Sequence, residues 1–203
     1  MHAKHIPLLT ASSNPGKLKE YQTLAASYAS GAGVELALLP NFAALPQFDE
    51  SAPTFAENAA GKALHYSRFA DQMVIADDSG LAVVALGGAP GPQSARYAGP
   101  GAGDSDRVKK LLGELREKNV TNRRARFVCV LAAAQQRRML AVLSECVDGV
   151  LLELPRGQGG FGYDPIFLFE PLGKTFAELS REEKNQYSHR GKAFRKLLEF
   201  LKT

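Results

Sequence analysis

Apolar residues gather at positions 6–9 and give way to Thr10-Ala11-Ser12-Ser13-Asn14-Pro15-Gly16-Lys17. Leu18 then opens a helical pattern that lasts to about Tyr28 and breaks at Gly31. This spacing predicts a strand, a polar loop and a helix, with the loop at the helix N-terminus. Residues 34–39 read as a second strand, and Phe48-Asp49-Glu50-Ser51 as a polar, acidic connection. Thr54-Phe55-Ala56-Glu57 fits a capping box, with Thr54 as N-cap and Glu57 at N3. In the helix that follows, Phe55, Ala59, Lys62, Tyr66 and Phe69 recur on one face. Lys62 therefore points inward among apolar residues, where a lysine is unusual.

Residues 73–76 form a buried-strand run that ends at Asp77-Asp78-Ser79-Gly80, and strand character resumes over 81–86. Gly87-Gly88-Ala89-Pro90-Gly91-Pro92 carries turn chemistry. Val108, Leu111, Leu112 and Leu115 mark an amphipathic helix, and residues 126–134 and 139–143 read as an antiparallel pair. Strand character continues towards Leu154, with a turn signal at Asp148-Gly149. A glycine-rich loop over 157–164 precedes a strand at 166–169. Phe194, Leu197, Leu198 and Leu201 define a last helix capped near Ser188. Helices and strands interleave without repeats or linkers, which predicts an α/β fold with a mixed sheet.

At 203 residues the chain suits one domain, or two intimately joined lobes. A chain this long buries roughly 70% of its unfolded surface and needs no disulfide or metal staple. Hydrophobic residues make up 45% and charged residues 23%, as in ordinary globular proteins. No stretch approaches the roughly 20 apolar residues of a membrane span, and the start of the chain has too short an apolar run for a signal peptide. The two cysteines, Cys129 and Cys146, lack metal-ligand spacing, which makes a reduced cytoplasm the simplest expectation. The net charge of +4 suits an anionic ligand only weakly. The clusters Arg123-Arg124-Ala125-Arg126 and Arg137-Arg138 flank an apolar run, as solvated strand ends do, and read so in preference to a nucleic-acid patch.

Three groups could carry chemistry. Asn14, Gly16 and Lys17 sit where backbone N–H groups and the helix dipole favour an anion. A Pro-Gly turn that merely starts a helix is the plainer reading, and the spacing is not that of a Walker A loop. Asp77 and Asp78, with Glu50 and Glu57 nearby in sequence, offer the oxygen ligands that hard divalent cations want. Capping alone accounts for Glu57 and a turn for the aspartates, but neither accounts for Lys62 unless it pairs with one of these acids. Phe161 and Tyr163, set among glycines, offer aromatic faces, and Lys184, Ser188, His189 and Arg190 offer donors. Taken alone, aromatics in the core and solvated cations are the plainer reading.

The chain closely resembles the inosine-triphosphate pyrophosphatase family. The resemblance is carried by Ala11-Ser12-Ser13-Asn14-Pro15-Gly16-Lys17, Thr54-Phe55-Ala56-Glu57-Asn58-Ala59 with Lys62-Ala63, and Ala76-Asp77-Asp78-Ser79-Gly80-Leu81. Gly88-Ala89-Pro90-Gly91, Ser94-Ala95-Arg96-Tyr97, Phe161-Gly162-Tyr163-Asp164-Pro165-Ile166-Phe167 and Ser188-His189-Arg190 complete it, in family order across nearly the whole chain. It implies one domain over residues 1–203, with an elongated mixed β-sheet flanked by helices and two lobes around a central cleft, in a cytoplasmic homodimer. It implies Mg²⁺-dependent hydrolysis of ITP, dITP and XTP to the nucleoside monophosphate and pyrophosphate, with no DNA, RNA or membrane partner. Carried over by position, Ser12, Ser13, Asn14, Pro15, Gly16 and Lys17 would hold the phosphates. Asp78 would be general base and metal ligand, joined on the metal by Glu50, while Lys62 would steady phosphates or carboxylates. Ser79 would touch substrate. Phe161, Gly162, Tyr163, Asp164, Lys184, His189 and Arg190 would form the nucleoside pocket, with His189 and Arg190 donating to a 6-keto group. Ser13 departs from the glycine of many relatives, which bears on how closely the backbone approaches a phosphate. A related pyrophosphatase for modified pyrimidine nucleotides, or a non-catalytic nucleotide sensor, are the competing expectations.

Overall fold

The computed structural model describes residues 6–32 and 34–202. Residues 1–5, most of the stretch read above for a signal peptide, lie outside the described residues. Strand β1 (Ile6–Thr10) leads into helix α1 (Pro15–Ala32), which returns the chain to β2 (Val34–Leu38). Helix α2 (Phe55–Tyr66) then leads to β3 (Met73–Val83). β1 pairs in parallel with both β2 and β3, with Leu8 opposite Leu36 on one side and Met73 on the other. Parallel neighbours need crossovers, and α1 and α2 supply them. After β3 come α3 (Asp104–Glu117), the hairpin of β4 (Arg124–Gln135) and β5 (Arg138–Leu151), β6 (Phe167–Phe169) and β7 (Lys174–Thr175). β5, β6 and β7 pair antiparallel in turn. Helices α4 (Arg181–Tyr187) and α5 (His189–Phe200) close the chain. The strands form one mixed sheet of seven in the order β2-β1-β3-β4-β5-β6-β7, as the α/β reading required.

The chain divides into two compact units, with boundaries inside β3, β4 and β5 and at the start of α5. The first contains residues up to 78, residues 129–145 and those from 190 onward; the second contains 79–128 and 146–189. Each has its own apolar core. In the first, Leu8, Tyr21, Leu24, Ile75, Leu131 and Phe194 cluster. In the second, Leu81, Leu111, Leu115, Phe127, Phe167 and Phe176 do so.

Several boundaries differ from those the sequence predicts. α1 starts at Pro15, not Leu18, so Gly16 and Lys17 belong to its first turn. Proline is at home there, because its missing N–H would have no intrahelical partner anyway. The helix also runs through Gly31. β3 passes unbroken through Asp77-Asp78-Ser79-Gly80, so the aspartates are buried strand residues and not a turn. β5 likewise continues through Asp148-Gly149. A Cβ on Gly149 would meet the Phe167 ring at 2.6 Å, so this glycine marks a close approach of β6 and not a turn. The capping box of α2 is half made. Thr54 accepts from the Glu57 N–H at 3.2 Å, but its hydroxyl, rather than its backbone N–H, donates to the Glu57 carboxylate.

Candidate active site

In the first unit, the loop after β1 is organised by Asn14. Its side-chain oxygen accepts from the Lys17 N–H at 3.1 Å and its carbonyl from the Leu18 N–H at 3.0 Å, which makes it the N-cap of α1. Ser12 is buried, and its hydroxyl accepts from the Asn14 N–H at 3.3 Å. The loop thus presents a helix N-terminus, where an anion is favoured. From the first turn, Lys17 reaches the Asp77 carboxylate at 2.9 Å. Burial alone would raise the Asp77 pKa, but Lys17, Arg190 and Lys62 outweigh it and hold this carboxyl well below the usual range.

Asp78 has the opposite setting. Burial, together with the charges of Glu50 and Asp77, lifts its pKa to about 6 against the pull of Asn58 and Lys17. Asn58, fully buried on α2, donates to Asp78 at 2.9 Å and to the Ala52 carbonyl at 3.3 Å, and accepts from the Ala52 N–H at 3.0 Å. One amide thereby fixes both the acid and the segment that carries Glu50. Lys62, buried as its place in the helical pattern predicts, pairs with Glu50 at 2.6 Å. Two neighbouring aspartates held at opposite protonation tendencies are the pattern expected where one is structural and the other does acid–base work.

Among the described residues no three His, Cys, Asp or Glu groups gather as a ready metal cage. Mg²⁺ seldom needs one, since it takes one or two carboxylates and draws the rest from phosphates and water. Glu50 and Asp78 fit that share: each lies close enough for the charge of Glu50 to raise the Asp78 pKa, a repulsion that a divalent cation would relieve.

In the second unit, the glycine-rich loop is tied down by acids. Asp164 is buried and accepts from the Phe161 N–H at 2.8 Å and from Lys184 at 2.6 Å. The same Lys184 ammonium lies 5.0 Å from the centre of the Phe161 ring. Asp104, at the start of α3, accepts from the Gly162 N–H at 2.7 Å. Tyr163 is a core residue whose hydroxyl donates to the Ser94 carbonyl at 3.0 Å, so Phe161 is the more exposed aromatic of the pair. His189 is buried and stacks nearly parallel on Phe127, with ring centres 4.8 Å apart. Ser79 follows Asp78 on β3 and is half-buried.

The structure therefore gathers Lys17, Asp78, Glu50 and Lys62 in the first unit and Phe161, Gly162, Tyr163, Asp164, Lys184 and His189 in the second. Arg190 belongs with the first group. The residue is 2% exposed, and its guanidinium binds Glu20 and stands 3.7 Å from Asp77. Sequence reasoning missed Glu20, Asn58 and Asp104 as partners. Glu20 had a signal, since it follows Lys17 by one helical turn; Asp104 had none, being remote in sequence from the loop it holds.

The sequence profile of the Ham1 family matches residues 8–200. A dITP/XTP pyrophosphatase of Geobacillus kaustophilus is 50% identical over 94% of this chain and 91% of its own. One from Gloeobacter violaceus is 48% identical over 94% and 92%. Among solved structures, a HAM1 protein from Coxiella burnetii superposes with a TM-score of 0.86 at 37% identity, covering 97% of this chain and 98% of the other. With the profile spanning nearly the whole chain, and the fold and relatives agreeing with it, the chain belongs to the Ham1 family.

Proposed function

We propose that this chain hydrolyses ITP, dITP and XTP to the nucleoside monophosphate and pyrophosphate, and so keeps these aberrant purines out of DNA and RNA. The observation that carries the reading is Asp78: a buried carboxyl with its pKa raised to about 6, beside a helix N-terminus that carries Lys17. The names of the relatives support the same activity. Residues 1–203 act as one pyrophosphatase domain, in the cytoplasm and as a homodimer, and the family resemblance supports both. No described helix is long and apolar enough to cross a membrane.

In this reading the Asp78 carboxylate orients a water for in-line attack on the α-phosphorus and takes up its proton. The α–β phosphoanhydride breaks, and the leaving pyrophosphate is stabilised by Lys17, Lys62 and the N–H groups from Ser12 to Lys17. Glu50 and Asp78 would hold Mg²⁺, which would supply charge neutralisation on the phosphates and a more acidic water. Lys62 is held ready by Glu50. Phe161 and Gly162 contact the nucleoside, with Ser79 and Lys184, while Tyr163 and Asp164 hold the loop that presents them. His189 donates to the 6-keto group, its ring plane set by Phe127. A site built around such a donor leaves it unpaired against adenine, which can discriminate by up to about 10⁴–10⁵-fold.

The test is product analysis with dITP, XTP, dGTP, ATP and dUTP, with and without Mg²⁺. Monophosphate and pyrophosphate from dITP and XTP, far faster than from dGTP or ATP and only with metal, is the expected result. Orthophosphate release or a preference for dUTP would overturn the assignment of the bond or of the base. Binding without turnover would make the protein a sensor.

A further inference from the structure

The turn that carries Phe161 belongs to a closed circuit of hydrogen bonds inside the second unit. Residues 161–164 fold back on themselves: the Asp164 N–H donates to the Phe161 carbonyl at 3.3 Å, and Gly162 takes a left-handed φ of 63°. The Gly162 N–H leaves the loop and donates to Asp104 Oδ2 at 2.7 Å. The other oxygen of Asp104 binds the Arg107 guanidinium, three residues on in α3. Arg107 also donates to the Ala95 carbonyl at 2.7 Å and to the Ala102 carbonyl at 2.8 Å. At the neighbouring Ser94 carbonyl the path returns to the loop, since the Tyr163 hydroxyl donates there at 3.0 Å. The loop, the start of α3 and the helical turn over 91–96 are thus joined in a ring. α3 and that turn have further holds on each other: Lys110 donates to the Tyr97 carbonyl at 2.6 Å, and the Tyr97 hydroxyl donates to Glu114.

We infer that Asp104 is a positioning residue for base recognition, which sets the angle of the Phe161 ring by holding the Gly162 N–H, while Arg107 keeps the carboxylate turned towards the loop. The other side-chain ties of this turn run through longer arms. Tyr163 reaches Ser94 across its whole ring, and Lys184 reaches Asp164 at the end of a flexible four-carbon stem. Such arms let the turn swing, whereas a bond to the backbone beside Phe161 stops it. The Asp104 side chain is 43% exposed, so water competes for the bond and its effect is modest. Because α3 and the 91–96 turn hold each other independently, loss of the Asp104 carboxylate loosens the loop and leaves its support in place. The inference rests on residues 161–164 serving the nucleoside, as proposed above.

Kinetics of the full-length protein with dITP and Mg²⁺, read beside backbone hydrogen exchange without ligand, test this. Asp104→Ala should raise KM for dITP about fivefold to tenfold and leave kcat within about twofold, because the loop holds the base equally before and at the transition state. Pyrophosphate, a competitive inhibitor that carries no base, should keep its inhibition constant within about twofold. In the same variant the Gly162 amide should exchange about tenfold faster or more, while the amides of α3 keep their protection. A merely structural role would move the α3 amides and both ligands together. An unchanged KM, an equal loss of pyrophosphate, or an unchanged Gly162 amide would each overturn the inference. If Asp104→Ala melts below the assay temperature, Asp104→Asn, which keeps one acceptor oxygen, carries the same test with a rise in KM of about threefold. An unaltered protein that turned over no dITP would overturn the pyrophosphatase reading and this inference with it; an active parent whose variant keeps its KM overturns the inference alone.

Discussion

Asp78 holds its charge in a place that resists it. Its pKa stands at about 6 against an ordinary value of 3.8, so the folded protein binds this proton more tightly than the unfolded chain does. Its contribution to stability is therefore fully present below about pH 4 and lost as pH rises through about 6. Asp78→Asn in metal-free protein should match the parent near pH 4 and be more stable by about 2–3 kcal/mol at pH 8. Urea unfolding at the two pH values checks this; equal destabilisation at both would mean that the carboxylate is not held under strain. Turnover should fall by orders of magnitude in the same variant, a trade of stability for function common at active sites. The acid itself was legible in the sequence, because two aspartates after an apolar run invite attention. Asn58 was not: an amide in a helix has no periodic signature, and its three hydrogen bonds exist only once residues 52 and 78 are brought to it.

At the scale of elements, β3 continues past its aspartates because Gly80 lets another segment lie against it. A Cβ there would meet the Ser94 hydroxyl oxygen and, at 2.7 Å, the Gly91 carbonyl. The Ser94 hydroxyl is already committed, accepting from the Leu81 N–H at 2.9 Å and donating to Gly91 at 2.6 Å. Gly80→Ala must therefore displace backbone, and a loss of about 1–3 kcal/mol is expected, as for other overpacked sites. A thermal melt measures it, and an unchanged midpoint would show that the 91–96 turn yields freely. The helices with an apolar stripe, α2 and α3, were legible for the reason that makes them stable: one face is buried. α4 escaped notice because it is seven residues long and buries none of them. It is held by a full capping box between Ser180 and Glu183, a short signal that periodicity does not register.

At the scale of the whole molecule, the α/β class and mixed sheet could be read from alternating helices and strands, but the boundaries of the two units could not. A boundary shows in sequence when it falls in a linker, and here three fall inside strands and the fourth after the first residue of α5. Neither unit is a continuous stretch of chain, and this has a testable consequence. A fragment of residues 79–189 contains all of the second unit, but also residues 129–145, which belong to the first. In the fragment Cys129, Leu131 and Ala133 lose the Leu8, Ile75 and Leu197 with which they cluster. Exposing a large apolar side chain costs roughly 1.5–3 kcal/mol, against a total stability of about 5–15 kcal/mol for a domain. Leu131 is such a residue and Cys129 and Ala133 add smaller losses, which together remove a large part of that margin, and the same apolar run then offers itself for aggregation. The fragment should show no cooperative thermal transition and should bind a hydrophobic dye at neutral pH, whereas the full chain should melt cooperatively. A fragment that melted sharply as a monomer would mean that the core of Leu81, Leu111 and Phe167 suffices alone, and that residues 129–145 can be carried as a tolerated insertion.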